Sequence, residues 1–114
     1  MIKLTIEGRP VPKSRPRVVR GRAYTPAKTK QAEEKIALYA LAKRIKPYKT
    51  GYVKMICEFS FKGKGHGDVD NLLKLCMDAG QGIFYKNDRQ VIYLRGAILL
   101  HQEEAKTEIF IDKY

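Results

Sequence analysis

Tyr52 to Phe61 is rich in β-branched and aromatic residues, and it stops at Lys62-Gly63-Lys64-Gly65-His66-Gly67, which has no apolar anchor. The first stretch reads as a strand and the second as a glycine-rich loop. The hydrophobic period then changes. Leu72, Leu73, Cys76 and Ala79 fall on one side of a helix running from Asn71 to about Gly80. A strand, a flexible loop and an amphipathic helix in succession constrain the fold strongly, because the strand and the helix each have one apolar face that another layer must cover.

The other segments supply mostly strands. Ile2 to Glu7 alternates apolar and polar residues, as a strand does and a signal peptide does not. Pro10, Pro12 and Pro16 make the next segment an irregular connection. Arg17 to Thr25 reads as a small hairpin or extended loop turning at Gly21. Thr25-Pro26 offers an N-cap and a first-position proline for a helix reaching about Arg44, with Ala32, Ile36, Tyr39 and Ala40 at helical spacing. Lys46-Pro47 ends it, and Thr50-Gly51 turns the chain. Ile83-Phe84-Tyr85 returns to the core, and Val91–Leu100 and Lys106–Ile111 read as a final pair of strands. The order β, hairpin, α, β, α, β, β predicts an α/β (α+β) chain. It has a single mixed β-sheet, two helices packed on one face, and one domain over residues 1–114.

Charge narrows the function. In 114 residues, 23 Lys+Arg stand against 12 Asp+Glu, a formal net charge of +11. Such an excess suits a polyanionic partner, nucleic acid ahead of an anionic membrane surface. No apolar run approaches the roughly 18–20 residues of a membrane span. A cytoplasmic protein without membrane attachment is expected. Cys57 and Cys76 sit inside apolar patterns and read as core residues. With no CxxC and two histidines, neither a zinc site nor an organic cofactor is expected.

Within this basic chain, carboxylates gather at two places. Asp68 and Asp70 flank Val69 at the start of the second helix, and Asp88 lies in Lys86-Asn87-Asp88-Arg89 soon after its end. Residues two apart in an extended segment share a side, whereas in a helix they diverge by about 200°. Asp68 therefore shares a metal with Asp70 only if the helix begins at or after Asp70. Lys74 lies one turn after Asp70 on the same face, and Asp78 one turn further, where it can pair with Lys74. Mg²⁺ takes oxygen ligands from a few carboxylates plus substrate phosphate, and activates water for in-line displacement. A lysine nearby neutralises charge growing on phosphate. Taken singly, a DxD more often caps or turns, Asn-Asp suits turns, and a helix lysine is usually solvated.

The pattern Asp68-Val69-Asp70-Asn71-Leu72-Leu73-Lys74, followed by Phe84-Tyr85-Lys86-Asn87-Asp88-Arg89-Gln90-Val91, resembles the signature of the RusA family of Holliday-junction resolvases. Pro12-Lys13-Ser14-Arg15-Pro16-Arg17 and Tyr24-Thr25-Pro26 resemble the opening of its phage-borne members. The resemblance implies a homodimeric, Mg²⁺-dependent endonuclease, with Mn²⁺ as a substitute, that cuts branched DNA at four-way junctions in recombination and repair. It places catalytic aspartates at Asp68, Asp70 and Asp88, which hold the metal, and a catalytic lysine at Lys74. Gly80-Gln81-Gly82 departs from the family's more helical exit.

The expected DNA surface comprises Lys13, Arg15, Arg17, Arg20 and Arg22 in the N-terminal loop and hairpin. Lys62 and Lys64 before the aspartates, and Lys86 and Arg89 beside Asp88, complete it. Tyr24, Tyr48 and Tyr85 can stack on bases but are expected to be buried. Two other readings fit the same residues: a basic DNA-binding protein without catalysis, and a Mg²⁺ nuclease for flaps or other branched DNA.

Overall fold

The computed structural model describes residues 1–14 and 17–114, and the side chains of these except Arg17. The proposed DNA contact Arg15 lies outside the described residues. The elements are β1 (Ile2–Glu7), β2 (Arg17–Val19), β3 (Arg22–Tyr24), α1 (Ala27–Ala42), β4 (Val53–Ser60), α2 (Val69–Gly80), β5 (Val91–Leu99) and β6 (Lys106–Lys113). A single 3₁₀ turn, Asp88–Gln90, leads into β5.

Four strands form one mixed sheet in the order β1-β6-β4-β5, and β2 and β3 form a separate hairpin. Strand β4 runs parallel to β5, with α2 in the crossover between them, and antiparallel to β6. The α+β class with one mixed sheet and two helices therefore stands. The last two strands, read from sequence as a pair, are not neighbours. Strand β5 is fixed beside β4 by the α2 crossover, so β6 fills the slot between β4 and β1.

Alternation decides which face is covered. Val53, Met55, Cys57 and Phe59 of β4 are buried, as are Leu4, Ile6, Ile109 and Ile111 of its neighbours. They meet Ile36 and Ala40 of α1 and Leu72, Leu75, Cys76 and Ala79 of α2 in one cluster. Each large side chain removed from water contributes about 1.5–3 kcal/mol. Gly96 of β5 has no room for a side chain: a Cβ there would lie 2.7 Å from Leu73. Both cysteines are buried free thiols, as expected. The contact with Cys76, followed by burial, pushes the Cys57 thiol well up from its ordinary range.

Helix ends differ from expectation in instructive ways. Pro26, rather than Thr25, occupies the N-cap of α1, so no side chain caps that helix. The helix ends before Pro47, with Arg44 at φ 55°. Ile45 N–H donates to Ala40 O at 3.1 Å and Arg44 N–H to Leu41 O at 3.0 Å. This is a Schellman closure with arginine where glycine is usual. The β2–β3 hairpin turns through Arg20 (φ 51°) and Gly21 (φ 76°), the two-residue left-handed turn that matches strand twist.

Candidate active site

Helix α2 supplies one wall of the site. It begins at Val69, two residues earlier than the spacing predicts, because Leu72 N–H already donates to Asp68 O at 3.0 Å. Asp68 is the N-cap, extended (φ −69°, ψ 134°), but its carboxylate makes no capping hydrogen bond. Asp70 lies in the first turn, where the helix dipole favours negative charge. Lys74 and Asp78 follow at one-turn intervals along the same face.

The second wall is the turn that carries Asp88. Asn87 Oδ1 accepts from Arg89 N–H at 2.9 Å, and Gln90 Oε1 accepts from Asn87 N–H at 3.0 Å and Lys86 N–H at 2.9 Å. This reciprocal capping box closes the 3₁₀ turn. The Gln90 amide also donates to Tyr48 O and Gly51 O, both at 3.0 Å, tying the turn to the segment before β4. Beneath it, buried Tyr85 donates its hydroxyl to Met77 O of α2 at 2.6 Å. Burial, then the charge of Asp88, pushes that hydroxyl well above the ordinary tyrosine range, which keeps it a donor.

Between the walls is an open cleft. Asp70, Lys74 and Asp78 line it from α2, Asp88 from the turn, and Leu73, Met77 and Leu94 form its apolar floor. Three of the four sequence-derived catalytic residues thus converge. Asp68 is exposed at the helix start and is not part of this lining. The helix start at Val69 does not meet the condition under which Asp68 and Asp70 face one way. Among the described residues, no three Asp, Glu, His or Cys side chains converge closely enough to hold a metal ion. The donor chemistry nonetheless fits a hard cation: Asp70 and Asp88 share one cleft, and Mg²⁺ needs only one or two carboxylates besides water and phosphate.

Asp78 pairs with Lys13 at 3.3 Å and not with Lys74. Lys13 also meets Glu33 of α1 at 3.4 Å, so this residue of the expected DNA surface is engaged within the chain. Among the described residues Lys74 makes no ion pair. Arg20, Arg22, Lys62, Lys64, Lys86 and Arg89 are all exposed. Tyr85 is buried and Tyr48 half-buried, whereas Tyr24 is exposed, because the hairpin that carries it stands off the core.

The family model described as endodeoxyribonuclease RusA matches residues 7–112. The chain belongs to the RusA family. A relative, the uncharacterized protein YqaN of Bacillus subtilis (strain 168), is 31% identical over 96% of this chain and 94% of its own length. RusA proteins are endodeoxyribonucleases, so the chain is a nuclease. In this RusA chain the residues that sequence reasoning left without a role are Asn87 and Gln90. The spacing N-x-x-Q is a capping-box signal, and it explains why glutamine follows the aspartate at this distance.

Proposed function

We propose that this protein is a Mg²⁺-dependent, structure-specific endodeoxyribonuclease that resolves four-way DNA junctions by paired nicks. It acts as a homodimer of one-domain subunits in recombination and repair, in the cytoplasm of a bacterial or phage-infected host. The observation that carries the reading is the convergence of Asp70, Lys74 and Asp88 on one open cleft. Among the described residues, no helix is long and apolar enough to cross a membrane.

Asp70 and Asp88 would hold the cation, and Asp68, exposed at the start of α2, would join them once DNA is bound. Mg²⁺ or Mn²⁺ supplies Lewis-acid polarisation of the scissile phosphate and a more acidic water. The chain's own contributions are separate. The carboxylates accept hydrogen bonds from the attacking water and so orient it. Lys74, which makes no ion pair among the described residues, donates to the phosphate oxygens as their charge grows. Arg20 and Arg22 of the hairpin, Lys62 and Lys64 of the glycine-rich loop, and Lys86 and Arg89 hold the flanking backbone by charge. The same role is proposed for Arg15 and Arg17.

For the dimer, support comes from β5. It is an edge of the sheet, with Ile92 and Tyr93 exposed at 50% and 42%. Tyr93 and Tyr114 stand with ring centroids 6.4 Å apart, and Tyr114 N–H donates to Tyr52 O at 3.0 Å, so exposed Tyr52 and Tyr114 extend the apolar margin. An open apolar edge invites pairing with a second copy. A two-fold dimer places two identical clefts on a two-fold junction.

The test uses end-labelled four-way junction, flap and linear duplex, each in Mg²⁺ and in EDTA. Symmetric paired nicks in the junction alone, requiring Mg²⁺, are expected. Preferential flap cutting replaces the substrate, and binding without cleavage in Mg²⁺ defeats the catalytic reading.

A further inference from the structure

Among the basic residues near the cleft, Lys13 is distinguished by being enclosed. Its side chain is 22% exposed and bridges Glu33 of α1 to Asp78 of α2, whose side chains are 26% and 35% exposed. The arm carrying it is pinned on both sides. Lys13 N–H donates to Asn71 O at 2.9 Å, and Ser14 N–H to the buried Thr29 Oγ1 at 3.3 Å. Pro12 packs against Gly67, where an added Cβ would lie 3.3 Å from the proline ring.

Asp78 lines the cleft one helical turn beyond Lys74. At that spacing a carboxylate and a lysine pair readily. Two lysines therefore compete for one carboxylate. If Lys74 took it, the ammonium would be drawn away from phosphate, and an unneutralised Asp78 would add negative charge facing an anionic substrate. The partial burial of Lys13 and Asp78 screens their attraction less than that of a surface pair.

We propose that Lys13 is a positioning residue of the cleft and not a DNA contact: it sequesters Asp78, which leaves Lys74 available to the scissile phosphate. The inference rests on the nuclease reading above. Its specific content is that Lys13 affects turnover through Asp78.

The test is Lys13→Met, which keeps the aliphatic stem, with Lys13→Arg, Asp78→Asn and the double variant Lys13→Met/Asp78→Asn. Single-turnover cleavage of the junction is measured in Mg²⁺, and binding is measured against salt in EDTA. Lys13→Met is expected to lower the cleavage rate about tenfold, the scale of coupling between contacting charged groups, with the salt slope unchanged and the loss of affinity smaller than the loss of rate. Lys13→Arg should retain the rate, and the double variant should recover it to within about twofold. Recovery separates sequestration of Asp78 from simple support of the arm. If Lys13→Met folds poorly, Lys13→Gln takes its place with the same expectation, a loss of rate that adding Asp78→Asn restores, and an unrestored loss overturns the inference. So does failure of the double variant to recover. A fall of about one unit in salt slope for Lys13→Met makes Lys13 a phosphate contact. That slope is read in EDTA, so it judges Lys13 even if wild type fails to cut, an outcome that counts against the nuclease reading itself.

Discussion

The two walls of the cleft are held by different means. Asp88 stands on a turn closed by its immediate neighbours: Asn87 and Gln90 cap each other's backbone within four residues. Asp70 stands on the first turn of a helix entered from a glycine-rich loop, and the contact that steadies that end comes from Pro12 and Lys13, more than fifty residues earlier. One wall is a turn closed by its own capping box, which Gln90 also ties to Tyr48 and Gly51. The other is a helix end braced from a distance by an arm. The comparison predicts that substitutions at the brace are absorbed more readily than substitutions in the capped turn.

The harshest test of the comparison removes a charge from each wall. Asp70→Asn and Asp88→Asn should each lower cleavage by about 10²–10³-fold, with junction affinity unchanged or tighter because a negative charge facing phosphate is gone. Single-turnover rates beside binding in EDTA measure both. Full activity in either variant removes that wall from the chemistry.

Gly80→Ala strikes the joint between the walls. A Cβ there would lie 2.6 Å from the Phe84 ring and 3.0 Å from the Tyr85 hydroxyl, and both rings are fully buried. Alanine's better helix propensity, about 1 kcal/mol, is outweighed by overpacking that costs about 1–3 kcal/mol. Urea or thermal unfolding should show a net loss of about 1 kcal/mol. A net gain would mean that the rings give way and the joint is soft.

Gln90→Ala attacks the local wall without touching the core. It removes hydrogen bonds to Lys86, Asn87, Tyr48 and Gly51 together. A residue that supports a ligand without being one typically affects activity by about 10–100-fold. We expect the lower end, about tenfold, with a raised Mg²⁺ requirement and little change in global stability. Equal loss at saturating Mg²⁺ would show that the turn positions more than a cation ligand.

How much of this was legible in the sequence follows the same division. The β-rich strand, the apolar side of α2 and the turn at Gly21 all follow from period and turn chemistry, and the structure contains them. The convergence of Asp70, Lys74 and Asp88 was reached through resemblance, since spacing alone left capping and turn roles open. Three features were not readable. The start of α2 at Val69 depends on how the glycine loop enters it. The partner of Asp78 depends on an arm whose path no local pattern encodes. The place of β6 between β1 and β4 is settled by the βαβ crossover, not by adjacency in the chain. Gln90 was readable through the N-x-x-Q spacing, but only once the turn was known to be a helical one.

The mildest variant separates the walls most directly. Gly67 has no positive φ among the glycines that do, so alanine there is conformationally permitted. Its Cβ would meet the Pro12 ring at 3.3, 3.4 and 3.7 Å, tight by tenths of an ångström and against a half-buried residue. A braced wall absorbs this by a small shift of the arm, because the arm's other ties are individually modest: backbone hydrogen bonds from Lys13 and Ser14 and the Lys13 ion pairs with Glu33 and Asp78. Overpacking that the neighbour can relieve falls at or below the low end of about 1 kcal/mol, so Gly67→Ala should change the cleavage rate by less than about threefold. A loss as deep as that of Gln90→Ala, with stability unchanged, would mean that the arm holds Asp70 as firmly as the capping box holds Asp88. The cleft would then be rigid on both sides, and the DNA, not the protein, would have to deform to enter it.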